Sequence, residues 1–208
     1  MKNIVVLVSG GGTNLQALID AQHNGLITNG EIKCVVSSNT NAYALTRAEE
    51  NNIETRVIRR KDFNNFEEYD KSLTQLLKEV NADLIVLAGF MTILGKNVIS
   101  CFENKIINIH PSLIPAFCGE GYYGLKVHEE ALAKGVKVTG ATAHFVNEIC
   151  DGGAIILQKA VSIENNDTPE ILQKRVMEEA EWNILPQAVN LFCNDKIQVV
   201  NNKTIINR

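Results

Sequence analysis

The chain has 208 residues, of which 45% are hydrophobic and 21% are charged. These ordinary globular values exclude a disordered or fibrous chain and fit one compact domain with a buried core. The 20 basic and 24 acidic residues give a formal net charge of −4, which disfavours binding to nucleic acid through bulk charge.

Membrane and secreted classes are also disfavoured by the sequence. The longest nearly apolar run, residues 84–94, is too short to span a bilayer, and no secretory signal pattern precedes the first apolar run. Five scattered cysteines without a C-x-x-C pair are not typical of a disulfide framework or a zinc site. We therefore expect reduced thiols, no metal, no contact with a membrane and a cytoplasmic location.

Strands alternate with helices in the pattern of the first half of the chain. Short apolar runs indicate strands at residues 4–8, 32–36, 55–58, 84–87 and 106–109, of which 4–8 and 84–87 are expected to be buried. Helical spacing predicts helices between them at residues 13–23, 42–51 and 66–80, the first with Thr13 or Asn14 as N-cap. Because strand–helix–strand connections favour parallel pairing, this order predicts a Rossmann-like α/β fold, a mostly parallel sheet with helices on both faces.

The sequence pattern of the second half of the chain predicts two more strands, one long helix and a terminal hairpin. A helix is expected over residues 168–192, because Thr and Pro at its start suit the N-cap and the first helical position. Pro186 is expected to end or kink it. A hairpin over residues 196–206 is expected to turn at residues 201–202. The two added strands are predicted at residues 138–146 and 154–161.

A glycine-rich turn, Gly10 to Gly12, follows the first predicted strand and precedes the first helix. Glycine lets backbone N–H groups approach a ligand, and a helix N-terminus adds unpaired donors and a partial positive charge. This combination favours a phosphate, with added hydrogen bonds from Thr13 and Asn14. The turn lacks the lysine of a nucleoside triphosphate loop and the third glycine of a dinucleotide fingerprint. The alternative is a tight turn that binds nothing.

A polar pair closes the fifth predicted strand. Asn108 and His110 are two residues apart, so their side chains leave the same face of the strand. Parallel sheets bind ligands at the carboxyl ends of their strands. Histidine titrates near neutrality, and an asparagine amide can donate to a developing oxyanion, so the pair is a candidate catalytic pair. The alternative is that both side chains only satisfy nearby backbone groups.

Two further polar residues depend on proximity that spacing cannot establish. Asp151, in an Asp-Gly-Gly segment, either forms a turn or lies beside His110, where its carboxylate would raise the histidine pKa. His144 lies on a predicted strand, where it either packs in the core or lines the same cleft. His23 and His128 lie on predicted helices and are expected to be solvated or packed.

Four segments together resemble the phosphoribosylglycinamide formyltransferases, a family of folate-dependent enzymes of purine synthesis. The segments, which follow the family's order and strand context, are residues 8–17, 87–91, 108–115 and 151–153. The resemblance covers nearly the whole chain and implies the formyltransferase fold. It also implies one domain over residues 1–208, with a ribonucleotide-phosphate-binding half over 1–100 and a catalytic and folate-binding half over 101–208.

The resemblance implies a role for each matching residue. The phosphate of the ribonucleotide is held by Gly12, Thr13 and Asn14, and Glu181 lies near the same substrate. The catalytic trio is Asn108, His110 and Asp151. The pocket of the co-substrate 10-formyltetrahydrofolate is lined by Met91, Thr92, Ile93 and Leu94, with Asn108 and His144 beside it.

The chain departs from the family pattern at two positions that can contact folate. Family members often carry arginine where Thr92 stands, and some carry a basic residue where Phe66 stands. The basic run 59–61 either substitutes electrostatically or is a solvated surface run. The loop over residues 119–124 is longer than in some relatives, and whether it covers the site is open.

The implied reaction is transfer of the formyl group of 10-formyltetrahydrofolate to the amine of 5-phosphoribosylglycinamide, without a metal. The expected partners are therefore small molecules and not nucleic acid, and the protein is expected to be a monomer or a homodimer. The main alternative on the same scaffold is a formyltetrahydrofolate hydrolase, which normally carries an N-terminal regulatory domain. Methionyl-tRNA formyltransferase normally carries a C-terminal RNA-binding domain. A dehydrogenase or a nucleotide sensor is disfavoured by the incomplete glycine fingerprint and by the trio.

Overall fold

The computed structural model describes residues 1–207 and shows a seven-stranded sheet. In chain order its strands are β1 Lys2–Val8, β2 Gly30–Ser37, β3 Glu54–Val57, β4 Leu84–Leu87, β5 Ile106–His110, β6 Val138–Phe145 and β7 Ile155–Ser162. Their order across the sheet is β3-β2-β1-β4-β5-β6-β7. The first five pair in parallel, and the last two are antiparallel. The predicted mostly parallel α/β sheet is confirmed.

Seven α-helices of the described residues connect or cover the strands. They are α1 Thr13–His23, α2 Tyr43–Glu50, α3 Phe66–Glu79, α4 Lys96–Cys101, α5 Leu125–Lys134, α6 Pro169–Val176 and α7 Trp182–Cys193. None of the helices between residues 1 and 207 is both long enough and apolar enough to cross a bilayer.

The central strand β1 is covered on both faces. Val6 belongs to a core cluster with Leu18 of α1, whereas Leu7 belongs to a second cluster with Leu73 of α3. Successive side chains of a strand point to opposite faces, so an unbroken apolar run requires a helix layer on each side. The carboxyl end of the run is thereby held rigidly in the middle of the sheet, where the glycine-rich turn begins.

The start of α1 differs from the prediction. Neither Thr13 nor Asn14 is the N-cap; Gly12 occupies that position with φ 73° and makes no side-chain capping bond. A Cβ at Gly12 would lie 2.6 Å from Cβ of Ala44 in α2. The left-handed backbone and the close approach of α2 therefore both require glycine here.

The predicted helix over residues 168–192 is divided in two. Thr168 is confirmed as the N-cap, since its hydroxyl accepts from the N–H of Ile171. A π-helical turn, Met177–Glu181, then separates α6 from α7. Pro186 does not end the helix, because it lies inside α7, but the helix is irregular one turn before it. In a regular helix the ring of Pro186 would clash with the carbonyl of Trp182, four residues earlier. Trp182 has ψ of −10°, which departs from regular helical geometry and relieves this clash.

The short helix α4 was not predicted, because a distant side chain caps it. The carboxylate of Asp70 in α3 accepts from the N–H groups of Asn97 and Val98, at 2.8 and 3.3 Å. Gly95 precedes the helix, and a Cβ there would lie 2.2 Å from Cγ of Asp70. A helix of six residues has little intrinsic stability, so this capping comes from tertiary structure.

The terminal hairpin is confirmed. Its strands are β8 Ile197–Val200 and β9 Lys203–Ile206, which pair antiparallel. Asn201 and Asn202 form the turn with φ of 52° and 56°. This left-handed pair is the conformation that a two-residue hairpin turn requires, and asparagine tolerates it.

Candidate active site

Four polar side chains meet at the carboxyl end of β5. Asn108 and His110 leave the same face of that strand, as predicted. His144 of β6 lies directly opposite Asn108 in the antiparallel register. Asp151 comes from the loop between β6 and β7. The structure thus brings the three expected catalytic residues together and places His144 with them.

Asp151 lies between the two histidine rings. Its Oδ2 is 3.5 Å from Nδ1 of His110, and its Oδ1 is 3.5 Å from Nε2 of His144. The backbone N–H of Gly119 donates to Oδ2 at 2.8 Å. Asp151 itself adopts φ of 53°, a left-handed conformation. The carboxylate is therefore aimed by its loop at both imidazoles.

Each imidazole uses one nitrogen to bind a main-chain carbonyl. Nε2 of His110 is 2.9 Å from the carbonyl oxygen of Phe117, and Nδ1 of His144 is 2.8 Å from that of Phe145. Because a carbonyl oxygen can only accept, these nitrogens carry protons. The other nitrogen of each ring faces Asp151, so a second proton on either ring would lie against the carboxylate.

The amide of Asn108 is oriented by His144. Its Nδ2 is 3.2 Å from Nε2 of His144, which accepts from the amide in the neutral ring. The side-chain amide of asparagine has two N–H donors, so one remains for a ligand in the cleft. His144 is only 1% exposed, and it is therefore a core residue that also orients the site.

The Asp151 carboxylate raises the pKa of His110, as expected, but burial of the ring has the larger and opposite effect. Burial of the ring lowers the pKa of His110 below its ordinary value. The carboxylate of Asp151 opposes that shift but does not overcome it. The resting ring is consequently neutral at neutral pH, and it is poised to take a proton rather than to carry one.

The Asp151 carboxylate is ionised despite its partial burial. Burial alone would raise its pKa, but its contacts with the imidazoles of His144 and His110 and with the N–H of Gly119 together hold the pKa below its ordinary value. The site therefore pairs a carboxylate with a neutral imidazole. Such a pair can accept one proton and return it.

His128 of α5 is a packing residue, which is one of the two roles expected for it. It is fully buried, and burial lowers its pKa to about 4. The ring is therefore neutral at neutral pH and stands behind His110 without adding positive charge to the cleft.

The glycine-rich turn is joined to the second half of the chain by a buried contact. Nδ2 of Asn14 donates to Oε2 of Glu181 at 2.6 Å. Burial raises the pKa of Glu181 to about 7, although the bond from Asn14 opposes the shift. Glu181 lies at the end of the π-helical turn, a distortion that often occurs at functional sites. It therefore lies beside the predicted phosphate site, where the resemblance placed it.

Sequence reasoning did not identify Arg47 of α2. Its Nε donates to the carbonyl of Gly11 at 2.9 Å, and its Nη1 donates to Oε1 of Gln16. By holding that carbonyl, Arg47 fixes the turn whose N–H groups would face a phosphate. No local motif marks Arg47, since its partners lie in another strand–helix unit.

Apolar side chains lie exposed along the segment after β4. Met91 and Ile93 are 56% and 78% exposed, whereas Leu94 is buried. The N–H of Met91 donates to the hydroxyl of Ser9 at 2.8 Å, which ties the segment to the end of β1. Thr92 is half-buried beside them. Exposed apolar groups at the carboxyl edge of the sheet suit a flat aromatic ring.

In the basic run 59–61, the side chains of Arg59 and Arg60 make hydrogen bonds with neighbouring residues. The guanidinium of Arg59 forms two hydrogen bonds with the carboxylate of Asp62 at 2.7 Å. That of Arg60 donates to the carbonyl of Phe63 and lies 5.9 Å from the ring centroid of Phe66. Arg60 is thus the arginine of the run that adjoins the position where some relatives carry a basic residue.

Within residues 1–207, no three His, Cys, Asp or Glu side chains are grouped in a way that could hold a metal ion. All five cysteines are free thiols.

Comparisons with known proteins identify the family to which the chain belongs. The model of the formyl transferase family matches residues 2–189. A phosphoribosylglycinamide formyltransferase from Haemophilus influenzae is 43% identical over 202 residues, which are 97% of this chain and 92% of that protein. The crystal structure of glycinamide ribonucleotide transformylase 1 from Symbiobacterium toebii is 38% identical with a TM-score of 0.94, covering 100% of this chain and 95% of that one. A formyltetrahydrofolate deformylase from Pseudomonas syringae is 28% identical with a TM-score of 0.88, covering 100% of this chain and 66% of that one.

Proposed function

The chain belongs to the formyl transferase family, and from that premise we propose that it transfers the formyl group of 10-formyltetrahydrofolate to the amine of 5-phosphoribosylglycinamide, a step of purine synthesis. The observation that carries the proposal is the placement of Asp151 between two imidazoles, beside the Asn108 amide. This set supplies one donor for an oxyanion and one acceptor for a proton.

The chemistry needs a bond exchange at the formyl carbon. The substrate amine attacks that carbon, and the bond from carbon to the folate nitrogen then breaks. In the tetrahedral intermediate, the free N–H of Asn108 donates to the oxyanion. A pre-aimed donor of this kind contributes about a hundredfold or more to the rate.

One proton must move during the exchange, from the attacking amine to the departing folate nitrogen. The basic atoms of the site are Nδ1 of neutral His110 and the Asp151 carboxylate. We assign the transient proton to this pair, where it lies between Nδ1 and Oδ2. Its return to the folate nitrogen leaves the protein unchanged.

The two substrates fit different parts of the carboxyl edge. The phosphate is assigned to Gly12, Thr13 and Asn14 at the start of α1, with Glu181 as a partner for the ribonucleotide. The folate is assigned to the segment of Met91, Thr92, Ile93 and Leu94, with Asn108 and His144 at its reactive end.

Both halves of the chain contribute to one sheet and one site, which supports the proposal of a single domain. The sheet runs from β3 in the first half to β7 in the second. The bond from Asn14 to Glu181 joins the two halves at the ribonucleotide side of the site.

The deformylase of Pseudomonas syringae makes formyltetrahydrofolate hydrolysis the alternative, since it shares the fold. Hydrolysis needs the trio but has no use for a ribonucleotide phosphate. The rigid turn at Gly12, held against Ala44 and fixed by Arg47, therefore favours transfer over hydrolysis.

A single assay separates these activities. The protein is mixed with 10-formyltetrahydrofolate, and tetrahydrofolate formation is followed with and without 5-phosphoribosylglycinamide. Transfer predicts turnover only when the ribonucleotide is present. Equal turnover without it would identify a hydrolase, and no turnover in either mixture would leave only a binding protein.

A further inference from the structure

The carbonyl oxygen next to the catalytic carboxylate is held by two side-chain amides. Gly152 directly follows Asp151, and its carbonyl accepts from Nδ2 of Asn147 at 3.2 Å and from Nδ2 of Asn202 at 3.0 Å. Asn147 belongs to the same loop. Asn202 lies 50 residues further along the chain, at the tip of the terminal hairpin.

The loop that carries Asp151 needs such support. Asp151 adopts φ of 53°, which costs an L-residue conformational energy unless its surroundings fix it. Within the loop, Oδ1 of Asn147 accepts from the N–H of Ile149, and the N–H of Gly152 donates to the carbonyl of Ile149. These bonds shape the loop, but all of them move with it.

The terminal hairpin supplies a contact from outside the loop. The hydroxyl of Thr204 in β9 donates to the carbonyl of Ile155 at the start of β7, at 2.7 Å. Ile197 and Val199 of β8 pack against the main core cluster. The hairpin is therefore anchored to the body of the protein, and its tip is a fixed point from which Asn202 reaches Gly152.

We propose that Asn202 is a positioning residue for the reaction: from the tip of the terminal hairpin it holds the Gly152 carbonyl, and thereby keeps the Asp151 carboxylate aimed at His110 and His144. The proposal deepens the proposed function and rests on it for its kinetic consequence. Asn202 does not touch the reacting atoms.

The turn geometry permits a clean test. Asn202→Gly keeps or improves the left-handed turn and removes the side chain, while Asn202→Asp keeps its shape and replaces the N–H donor with an acceptor. The matched control is Asn201→Gly. Asn201 has nearly the same backbone conformation, with φ of 52°, but its side chain makes no hydrogen bond to any residue between 1 and 207.

The first measurement compares the effect of each variant on kcat with its effect on KM for the ribonucleotide. Both Asn202 variants are expected to lower kcat by roughly fivefold, the effect of losing about one hydrogen bond, with KM for the ribonucleotide equal to that of Asn201→Gly. Wild-type kcat in both Asn202 variants, or an equal loss in Asn201→Gly, would overturn the proposal.

A second readout does not require activity. Because the Asp151 carboxylate opposes the lowering of the His110 pKa, a misplaced carboxylate should let that pKa fall further. NMR titration of the histidine rings is expected to show a lower His110 midpoint in both Asn202 variants than in Asn201→Gly. The titratable groups facing this pair are His144 and His128 around His110, and Cys118 and Cys150 around Asp151.

The two readouts separate the proposals. If the wild type transfers no formyl group, the proposed function fails, but the titration still tests the role of Asn202. An unchanged His110 midpoint in both Asn202 variants would overturn that role, whatever reaction the site performs.

Discussion

At the scale of single residues, the site works by opposing effects on ionisation. Burial drives His110 towards its neutral form, whereas the hydrogen bonds and charges around Asp151 keep that group ionised. Burial also favours the neutral form of Glu181, but because the neutral form of a carboxyl group is the protonated one, burial raises its pKa. The site thus holds a base ready for a proton without storing a cation in the cleft.

Removing either member of the proton-accepting pair should abolish most of the activity. His110→Ala and Asp151→Asn are expected to lower kcat at least about a hundredfold, since each removes an acceptor for the transferred proton. Steady-state kinetics of the purified variants is the measurement.

His23→Ala is the matched control, because His23 is exposed at the end of α1. It is expected to retain wild-type kcat, and far-UV circular dichroism should show all three variants folded. Full activity in His110→Ala or Asp151→Asn would remove that residue from the mechanism.

Glu181 should make the folding free energy depend on pH. Its pKa is raised from 4.5 to about 7 in the folded state, so the unfolded state ionises first as the pH rises. The stability that protonated Glu181 retains at low pH is therefore lost progressively between these two values.

Glu181→Gln is expected to remove this decline, because the amide oxygen of glutamine can still accept from Asn14 without ionising. Thermal unfolding at several pH values checks it, with Glu179→Gln, an exposed change in the same turn, as control. The same decline in Glu181→Gln as in the wild type would show that another group is responsible.

At the scale of elements, the proposed phosphate site depends on how closely α2 approaches the turn before α1. Gly12→Ala would place a Cβ against Ala44 in a left-handed backbone. Gly25→Ala has nearly the same φ, 72°, but its Cβ would meet nothing within 4 Å, so it imposes the strain without the clash.

Gly12→Ala is expected to raise KM for the ribonucleotide at least about tenfold and to lower the melting temperature more than Gly25→Ala does. Kinetics and thermal unfolding measure both effects. An unchanged KM for the ribonucleotide would place the phosphate elsewhere.

Elements whose signals are local were predictable from the sequence. A few adjacent residues determine the strand β1, the helix cap at Thr168 and the terminal turn at residues 201–202. The helix α4 was not predictable, because its capping group is Asp70. The π-helical turn before α7 leaves the apolar pattern almost unchanged, so the sequence indicated one continuous helix.

Only those residues of the candidate site that belong to local sequence motifs were predictable from the sequence. Asn108 and His110 follow from strand alternation, and the resemblance supplied Asp151. The meeting of Asp151 with both histidines depends on the antiparallel return of β6, which spacing does not determine. The sequence indicated that Asp151 would raise the pKa of His110, but not that burial of the ring lowers that pKa by more, because burial depends on the packed structure.

At the scale of the whole molecule, the proposed site is assembled from segments that are distant in the sequence. Its parts begin with the turn at Gly12 and end with the amide of Asn202 at the tip of the terminal hairpin. The net charge of −4 fits small anionic ligands held by a local turn better than a polyanion held across a surface. The rigidity of the sheet is what keeps such distant contributions in register.

The fate of the formyl carbon tests the central claim most directly. The protein is incubated with 10-formyltetrahydrofolate carrying carbon-13 in its formyl group and with 5-phosphoribosylglycinamide, and the products are followed by NMR. Transfer predicts that the label appears in the formylated ribonucleotide in an amount equal to the tetrahydrofolate released. Label recovered as formate, released at the same rate with or without the ribonucleotide, would contradict it.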